Sequence, residues 1–334
     1  MDICIVGASG HANYAISAIA KDENSKLAGI AAGTEGENLD GLLKRINNSG
    51  QKIEVFHDYK EMLDILNPDI LVVNSYFNKQ AEISIEALNR GMHVFVEKPI
   101  ATNLEDLALV RDAYQKASKK KEIFLASMFG IRYTPWFMTA WKHVQQGKIG
   151  KVRLMNAQKS YRLGQRADFY KNRETYGGTI PWVASHAIDW LYWFAGEKFT
   201  SVYASHSKQY NSEHGDLEMT GMMHFNMENE IVAAVNVDYL RPGTALSHGD
   251  DRIRLAGTDG VVEVRDDKVY LINSDKEGMQ ELELEETKGI FTDFLEEVRG
   301  ESPCLINAED SFYITEVCLK ARKSADENKL IVLE

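Results

Sequence analysis

Residues 2–23 read DICIVGASGHANYAISAIAKDE. Behind Asp2 stands an apolar run rich in β-branched side chains, and the segment behind Gly7 has the apolar spacing of a helix whose start is built from small residues. Strand, tight turn and helix follow one another within these residues. The turn itself, Gly7, Ala8, Ser9, Gly10, His11 and Ala12, is small enough for backbone amides to approach a pyrophosphate at a helix start. Its second small position is Ser9 where a glycine is usual, so by itself the turn also reads as a plain strand-to-helix connection.

The same alternation continues down the chain. KLAGIAA (26–32), PDILVVNS (68–75), HVFVEKP (93–99) and EIFLASMF (122–129) read as strands, and YKEMLDILN (59–67), KQAEISIEALNRG (79–91) and NLEDLALVRDAYQKASKKK (103–121) as helices. Such alternation calls for a parallel sheet wound on both faces. The lysines that close the last helix offset its dipole from a solvated face. After Gly130 the period changes to two: KVRLMNAQKSY (151–161), FTSVYASHSKQY (199–210) and DDRIRLAGTDGVVEVRDDKVYLIN (250–273) alternate, with a hairpin-like turn at TDG. The expected fold class is α/β: a doubly wound N-terminal sheet over residues 1–128, then an α+β domain over 129–334 with a mainly antiparallel open sheet. The final helix is expected to pack back toward the first domain.

Composition excludes several functions. Fifty acidic against 38 basic side chains give a net charge of −12, a field that repels nucleic acid and anionic membrane, so neither is an expected partner. The N-terminus lacks the features of a signal peptide and no apolar run is long enough to span a bilayer, which leads to a cytoplasmic expectation. Cys4, Cys304 and Cys318 lack paired spacing and read as reduced, buried thiols. His206, His214 and His224 are scattered without ligand spacing, so no metal is expected.

Two further stretches carry chemistry. HVFVEKPIAT (93–102) is an apolar strand stopped by Glu97, Lys98 and Pro99. At the carboxyl end of a parallel strand these residues face the ligand crevice of a doubly wound sheet, and the proline keeps the lysine out of the helical region. The bland alternative is a surface ion pair. In GGTIPWVASHAIDWLYWF (177–194), His186 and Asp189 stand three apart on an apolar helix and share a face; the bland alternative is a core histidine bonded to Asp189.

Taken together, the GASGHA turn, AEISIEALNRGMHVFVEKPIA, RYTPWFMTAWKHVQQGKIGKV and YGGTIPWVASHAIDW resemble the Gfo/Idh/MocA oxidoreductases over nearly the whole chain. The resemblance implies an N-terminal Rossmann domain binding NAD or NADP, a C-terminal domain whose sheet supports substrate binding and oligomerisation as a homodimer or homotetramer, and a sugar or polyol substrate. By position it implies that Lys98 contacts the reacting hydroxyl, that Glu97 lies near the nicotinamide ribose, that His186 is the acid/base group and that Asp189 is the second residue of the His-x-x-Asp element. Ser75, Tyr76 and Gln80 stand where the family carries a cofactor loop and a histidine. The sequence departs from the pattern at Trp182, where many members have a carboxylate, and at Tyr176, where a small residue is usual.

The residues themselves agree with hydride transfer. A histidine suits removal of a hydroxyl proton near neutral pH, and a partly buried lysine can polarise the oxygen. Tyr161, Arg162 and Trp182 are candidate substrate neighbours by position, together with Asp189. The segment GIAAGTEGE offers no carboxylate directly after the second strand, so tolerance of NADP is expected, with Glu35 the alternative ribose ligand. Two rival functions remain: a non-catalytic sensor of dinucleotide or sugar, and a glycosidase that oxidises its substrate transiently.

Overall fold

Six apolar segments form one parallel sheet in the N-terminal half of the chain. The computed structural model describes residues 1–48 and 53–333. The strands are β1 (Asp2–Val6), β2 (Lys26–Ala31), β3 (Glu54–Phe56), β4 (Ile70–Val73), β5 (His93–Val96) and β6 (Leu125–Ser127), in the order β3-β2-β1-β4-β5-β6. Ile3 to Val6, β4 and β5 are buried on both faces, which explains their continuous Val/Ile/Leu runs. The helices between them are α1 (Asn13–Ile19), α2 (Asp40–Asn48), α3 (Tyr59–Leu66), α4 (Gln80–Asn89) and α5 (Leu104–Ser118). Side-chain caps start two of them: Asp58 accepts from the Lys60 amide and Asn103 from the Asp106 amide. The strand order, with its reversal between β1 and β4, is that of a doubly wound Rossmann sheet.

The second sheet follows α6 (Pro135–Gln145). Its strands are β7 (Val152–Tyr161), β8 (Phe199–Ser207), β9 (Thr220–Met227), β10 (Val232–Asp238), β11 (Gly249–Gly257), β12 (Gly260–Arg265), β13 (Lys268–Asn273), β14 (Lys276–Glu281) and β15 (Ile331–Val332), ordered β14-β13-β12-β11-β7-β10-β9-β8-β15. All neighbours are antiparallel except β7 and β10, which run parallel. A short helix α7 (Arg173–Tyr176) and a π turn (Ile180–Ala184) lead into α8 (Ser185–Ala195), and α9 (Ile290–Val298) and α10 (Ala308–Glu327) close the chain. Alternate residues such as Met155, Ala157, Phe225, Val235 and Leu255 point into the core, where α8 packs on β7. Trp190 meets Phe137 at 4.3 Å, and Trp193 stacks on Trp141 at 5.1 Å.

The chain does not divide at one cut. One unit comprises Met1–Gly130, Glu174–Gly177 and Lys288–Thr315; the other comprises Ile131–Arg173, Gly178–Thr287 and Glu316–Glu334. The physical reason for counting residues 288–315 with the first sheet is α9, whose Phe291 and Phe294 pack on Phe95 of β5 at 4.9 and 5.4 Å. Burying one such ring is worth about 1.5–3 kcal/mol, and the contact fixes the strand that ends in Glu97. The sequence reading did not resolve α2, β3 or α9. The three cysteines are buried and in no disulfide among the described residues, and among the described residues no helix is long and apolar enough to cross a membrane.

Candidate active site

In the first unit the chemistry gathers at the carboxyl ends of β1, β2, β4 and β5. Gly7 has φ +86°, and a Cβ there would lie 2.4 Å from the Ser75 backbone, so only glycine lets the turn approach β4 so closely. Gly10 is hemmed in as well: a Cβ would meet Glu97 Oε2 at 2.4 Å and Asn74 Oδ1 at 2.6 Å. Glu97, fully buried at the end of β5, accepts from both the backbone N–H and Nδ1 of His11 at 2.6 Å and from the Lys98 amide at 2.9 Å. Burial would raise its pKa, but the charge and hydrogen bonds of His11, and then Lys98, hold the carboxyl below the usual carboxylate range. Lys98 is itself fully buried and joined to Pro99 by a cis peptide.

A second carboxylate reaches the same turn. The loop after β2 doubles back through Gly36 (φ +77°), returning Glu37 to the sheet. Its carboxylate accepts from the Ala8 amide (3.0 Å), Ser9 Oγ (2.7 Å), the Gly33 amide (3.1 Å) and Ser75 Oγ (2.9 Å). The sequence reading expected no carboxylate here and named Glu35 as the alternative; Glu35 is exposed, while Glu37 is 7% exposed and is the residue in place. A groove of about 550 Å³ opens beside it, lined by residues 32–37 and by His57, Asp58 and Tyr59. Further along, the side-chain amides of Asn74 and Gln80 and the Ser127 hydroxyl are fully buried without a hydrogen-bond partner among the described residues. Tyr76 is half-buried, at the start of the turn ahead of α4. Orphaned amides beside a glycine turn and a returned carboxylate fit a dinucleotide, whose ribose and amide groups would answer these donors and acceptors.

The second unit holds His186, 2% exposed, on the first turn of α8 just after the π turn. Asp189, expected as a substrate contact, gives its carboxylate to Arg132: Nε donates at 2.9 and 3.1 Å and Nη2 at 2.5 Å. Both side chains are almost fully buried, and Arg132 also lies over the Trp193 ring at 5.4 Å. This carboxylate therefore anchors α8 within the fold. Trp182, one turn before His186, is 5% exposed and meets Tyr170 edge-on at 6.3 Å. Ahead of the π turn, Gly178 has φ +108°, and the Thr179 amide and hydroxyl donate to the side chain and the backbone carbonyl of the buried Glu218.

At the end of β7, Lys159 is buried on the core face, paired with Asp251 at 2.5 Å and placed over the rings of Tyr161 (4.9 Å) and Trp190 (5.5 Å). Burial lowers its pKa against the opposing pull of Asp251. Tyr161 is half-buried against His248, whose backbone carbonyl accepts the Arg162 amide. The sequence reading missed Glu37, Arg132 and Lys159. Only the last left a local trace, as a lysine in phase with Met155 and Ala157 on the buried face of β7.

Comparison with known proteins agrees with this geometry. Residues 1–125 match the model of an oxidoreductase family with an NAD-binding Rossmann fold, and residues 137–263 match the Gfo/Idh/MocA C-terminal domain. A structure from Thermotoga maritima, provisionally designated an oxidoreductase, is 50% identical and superposes with a TM-score of 0.97 over 100% of both chains. The myo-inositol 2-dehydrogenase of the same organism is 24% identical over 87% of this chain and 88% of its own. An uncharacterised oxidoreductase of Schizosaccharomyces pombe is 32% identical, but the match spans only 41% of this chain and 37% of that relative. A levoglucosan dehydrogenase solved with NADH shares the fold at 16% identity, with a TM-score of 0.84 over 100% of this chain and 99% of its own. With both of its sheets matched in this way, the chain belongs to the Gfo/Idh/MocA family of NAD-binding oxidoreductases.

Proposed function

We propose that this protein transfers a hydride between nicotinamide and a secondary carbinol or carbonyl carbon of a sugar, a polyol or a derivative of one, with NAD preferred over NADP. The observation that carries the reading is the convergence of the Gly7 turn, Glu37 and the Glu97–Lys98 strand end on one set of backbone amides within the first unit. Glu37 would accept the ribose hydroxyls and clash electrostatically with a 2′-phosphate. Residues 7–12 would carry the pyrophosphate, with Ser75, Tyr76, Gln80 and Glu97 toward the remainder of the dinucleotide.

When bound, the cofactor supplies the hydride acceptor. In the oxidative direction His186 would take the proton of the substrate hydroxyl as the carbonyl forms. Lys98 polarises the reacting oxygen, stabilising the charge that develops as the proton departs. Asp189 acts indirectly, through its bond to Arg132, by fixing the helix that carries His186. The homo-oligomer reading is supported by exposed apolar residues on the uncovered face of the second sheet, Leu154, Met222 and Val232 among them, and sedimentation velocity reads it directly.

The test is a thermal-shift titration with NAD, NADH, NADP and NADPH, then an absorbance screen for reduced nicotinamide over neutral and acidic sugars and polyols. Turnover with NAD supports the proposal. Tight NAD binding without turnover on any member would replace it with a sensor function, which Trp182 in place of a carboxylate favours; glycosidic cleavage with no net NADH would replace it with the transient-oxidation function.

A further inference from the structure

We infer that the substrate is an acidic sugar derivative, carrying a carboxylate or a phosphate monoester held by Arg166 with Arg162 beside it. This deepens the oxidoreductase reading and rests on it for the word substrate; the charge is argued from the second unit's own side chains.

Trp182 and Trp190 stand four residues before and after His186, and both open onto one chain of side chains. Trp182 meets Tyr170 at 6.3 Å, and the Arg166 guanidinium lies over Tyr170 at 5.5 Å and over Tyr239 at 4.9 Å. Tyr239 meets Tyr161 at 6.3 Å, and Lys159 joins Tyr161 to Trp190. The circuit therefore leaves α8 one turn from His186 on one side and returns one turn from it on the other. Aromatic faces suit the apolar face of a sugar ring.

The cations of this circuit are not alike. Lys159 is answered by Asp251. Arg166 donates from Nη2 to the Arg162 carbonyl at 3.0 Å, and its Nε is buried without a partner. The Arg162 Nε is buried without a partner as well, and neither guanidinium joins an ion pair among the described residues. Arginines elsewhere in this acidic chain behave differently: Arg90, Arg132, Arg173, Arg241, Arg252 and Arg299 each hold a carboxylate. The acids that pair with Ser160 across the two neighbouring strands are already committed, Asp238 to Ser160 and the Leu240 amide, Asp250 to Arg241 and Arg252.

Two guanidinium groups four residues apart, neither with an acid and each with one buried, unanswered nitrogen, would be stabilised by an arriving anion. His248 registers the excess charge: burial, then Arg166, Arg162 and Lys159, push its pKa down. A guanidinium lying over a tyrosine keeps its N–H edge free for a two-pronged bond to an oxyanion. Arg166 also lines an open groove of about 390 Å³ together with Lys171, His214 and one carboxylate, Glu213, which leaves the guanidinium reachable from solvent.

Isothermal titration of the full-length protein saturated with NADH tests the inference with D-glucose, D-glucuronate, D-galacturonate and D-glucose 6-phosphate as probes. At least one anionic probe should bind about ten- to a hundredfold more tightly than glucose, the range for a hydrogen-bonded charge pair, and the advantage should shrink at high salt. Preference for a uronate identifies a carboxylate substrate, and preference for the phosphate ester identifies a phosphorylated one. Arg166→Gln should abolish the advantage, while Arg166→Lys should keep part of it. If Arg166→Gln fails to fold by circular dichroism, Arg162→Gln applies the same test at the neighbouring guanidinium. Equal binding of glucose and every anionic probe by the parent overturns the inference, as does an advantage undiminished in the folded Gln variant. A parent that binds uronate but not NADH sinks the oxidoreductase reading alone and leaves the anion site standing.

Discussion

Replacing Glu37 by glutamine tests the cofactor assignment at its most quantitative point. The carboxylate takes four donors at 2.7–3.1 Å and is 7% exposed, so its charge is fixed in position and poorly screened. A 2′-phosphate brought within ~5 Å of it would be repelled by roughly 3 kcal/mol per unit of phosphate charge at an effective dielectric of ~20. Even after solvation recovers part of this, the parent should prefer NAD over NADP at least about a hundredfold, or ~2.7 kcal/mol. Glu37→Gln keeps the volume and removes the charge, so the preference should fall to about tenfold or less. Because its NH₂ group replaces an acceptor, the Gly33 amide or the Ser75 hydroxyl loses a charge-assisted bond, and stability should drop by about 1.5–3 kcal/mol. Calorimetric Kd values for both cofactors, with a urea melt of each protein, give the two numbers. Equal affinity of the parent for NAD and NADP, or an unchanged ratio in the variant, would refute the reasoning.

Three other outcomes are expected. His186→Ala should lose about 10²- to 10⁴-fold in turnover while NADH affinity is retained; near-normal turnover would return this histidine to a packing role. Asp189→Asn should cost about 3–5 kcal/mol in chemical denaturation, since it removes one charge of a buried, hydrogen-bonded pair and leaves the other in place, and a loss below ~1 kcal/mol would mean that this pair adds little to the stability of the fold. Glu97 is depressed in the folded state, so its ionised form contributes stability that is fully present above the ordinary carboxylate pKa of ~4.3 and is lost as pH falls through the lower folded value. His11→Ala removes the main group holding that value down, so acid unfolding should begin at higher pH than in the parent, and a superimposable acid limb would count against the pair.

How much of this was legible in the sequence depended on whether a feature is periodic. The β-α alternation and the two-residue period after Gly130 are repeated signals, and they gave the sheets with their helices. By contrast β3 has three residues with two exposed, too few for a period to show, and α2 carries Gly41 and two closing asparagines that weaken its helical pattern. The strand-end chemistry at Glu97 and Lys98 stood out because charge and proline interrupt an apolar run. Glu37 did not, since a single left-handed glycine brings it back to the turn and no spacing rule encodes that return. Asp189 was legible as a residue and not as a contact, because its partner lies 57 positions upstream.

The split composition of the first unit has a consequence during synthesis. Phe95 is covered by Phe291 and Phe294, which leave the ribosome long after Gly130. At ~5–20 residues per second the parallel sheet would wait roughly ten to thirty seconds with that aromatic face uncovered. A nascent chain in this interval is the form a holdase chaperone would recognise. An expression fragment ending at residue 128 would stay in that state permanently, and appending residues 288–315 through a flexible linker is the way to cover that face in a fragment.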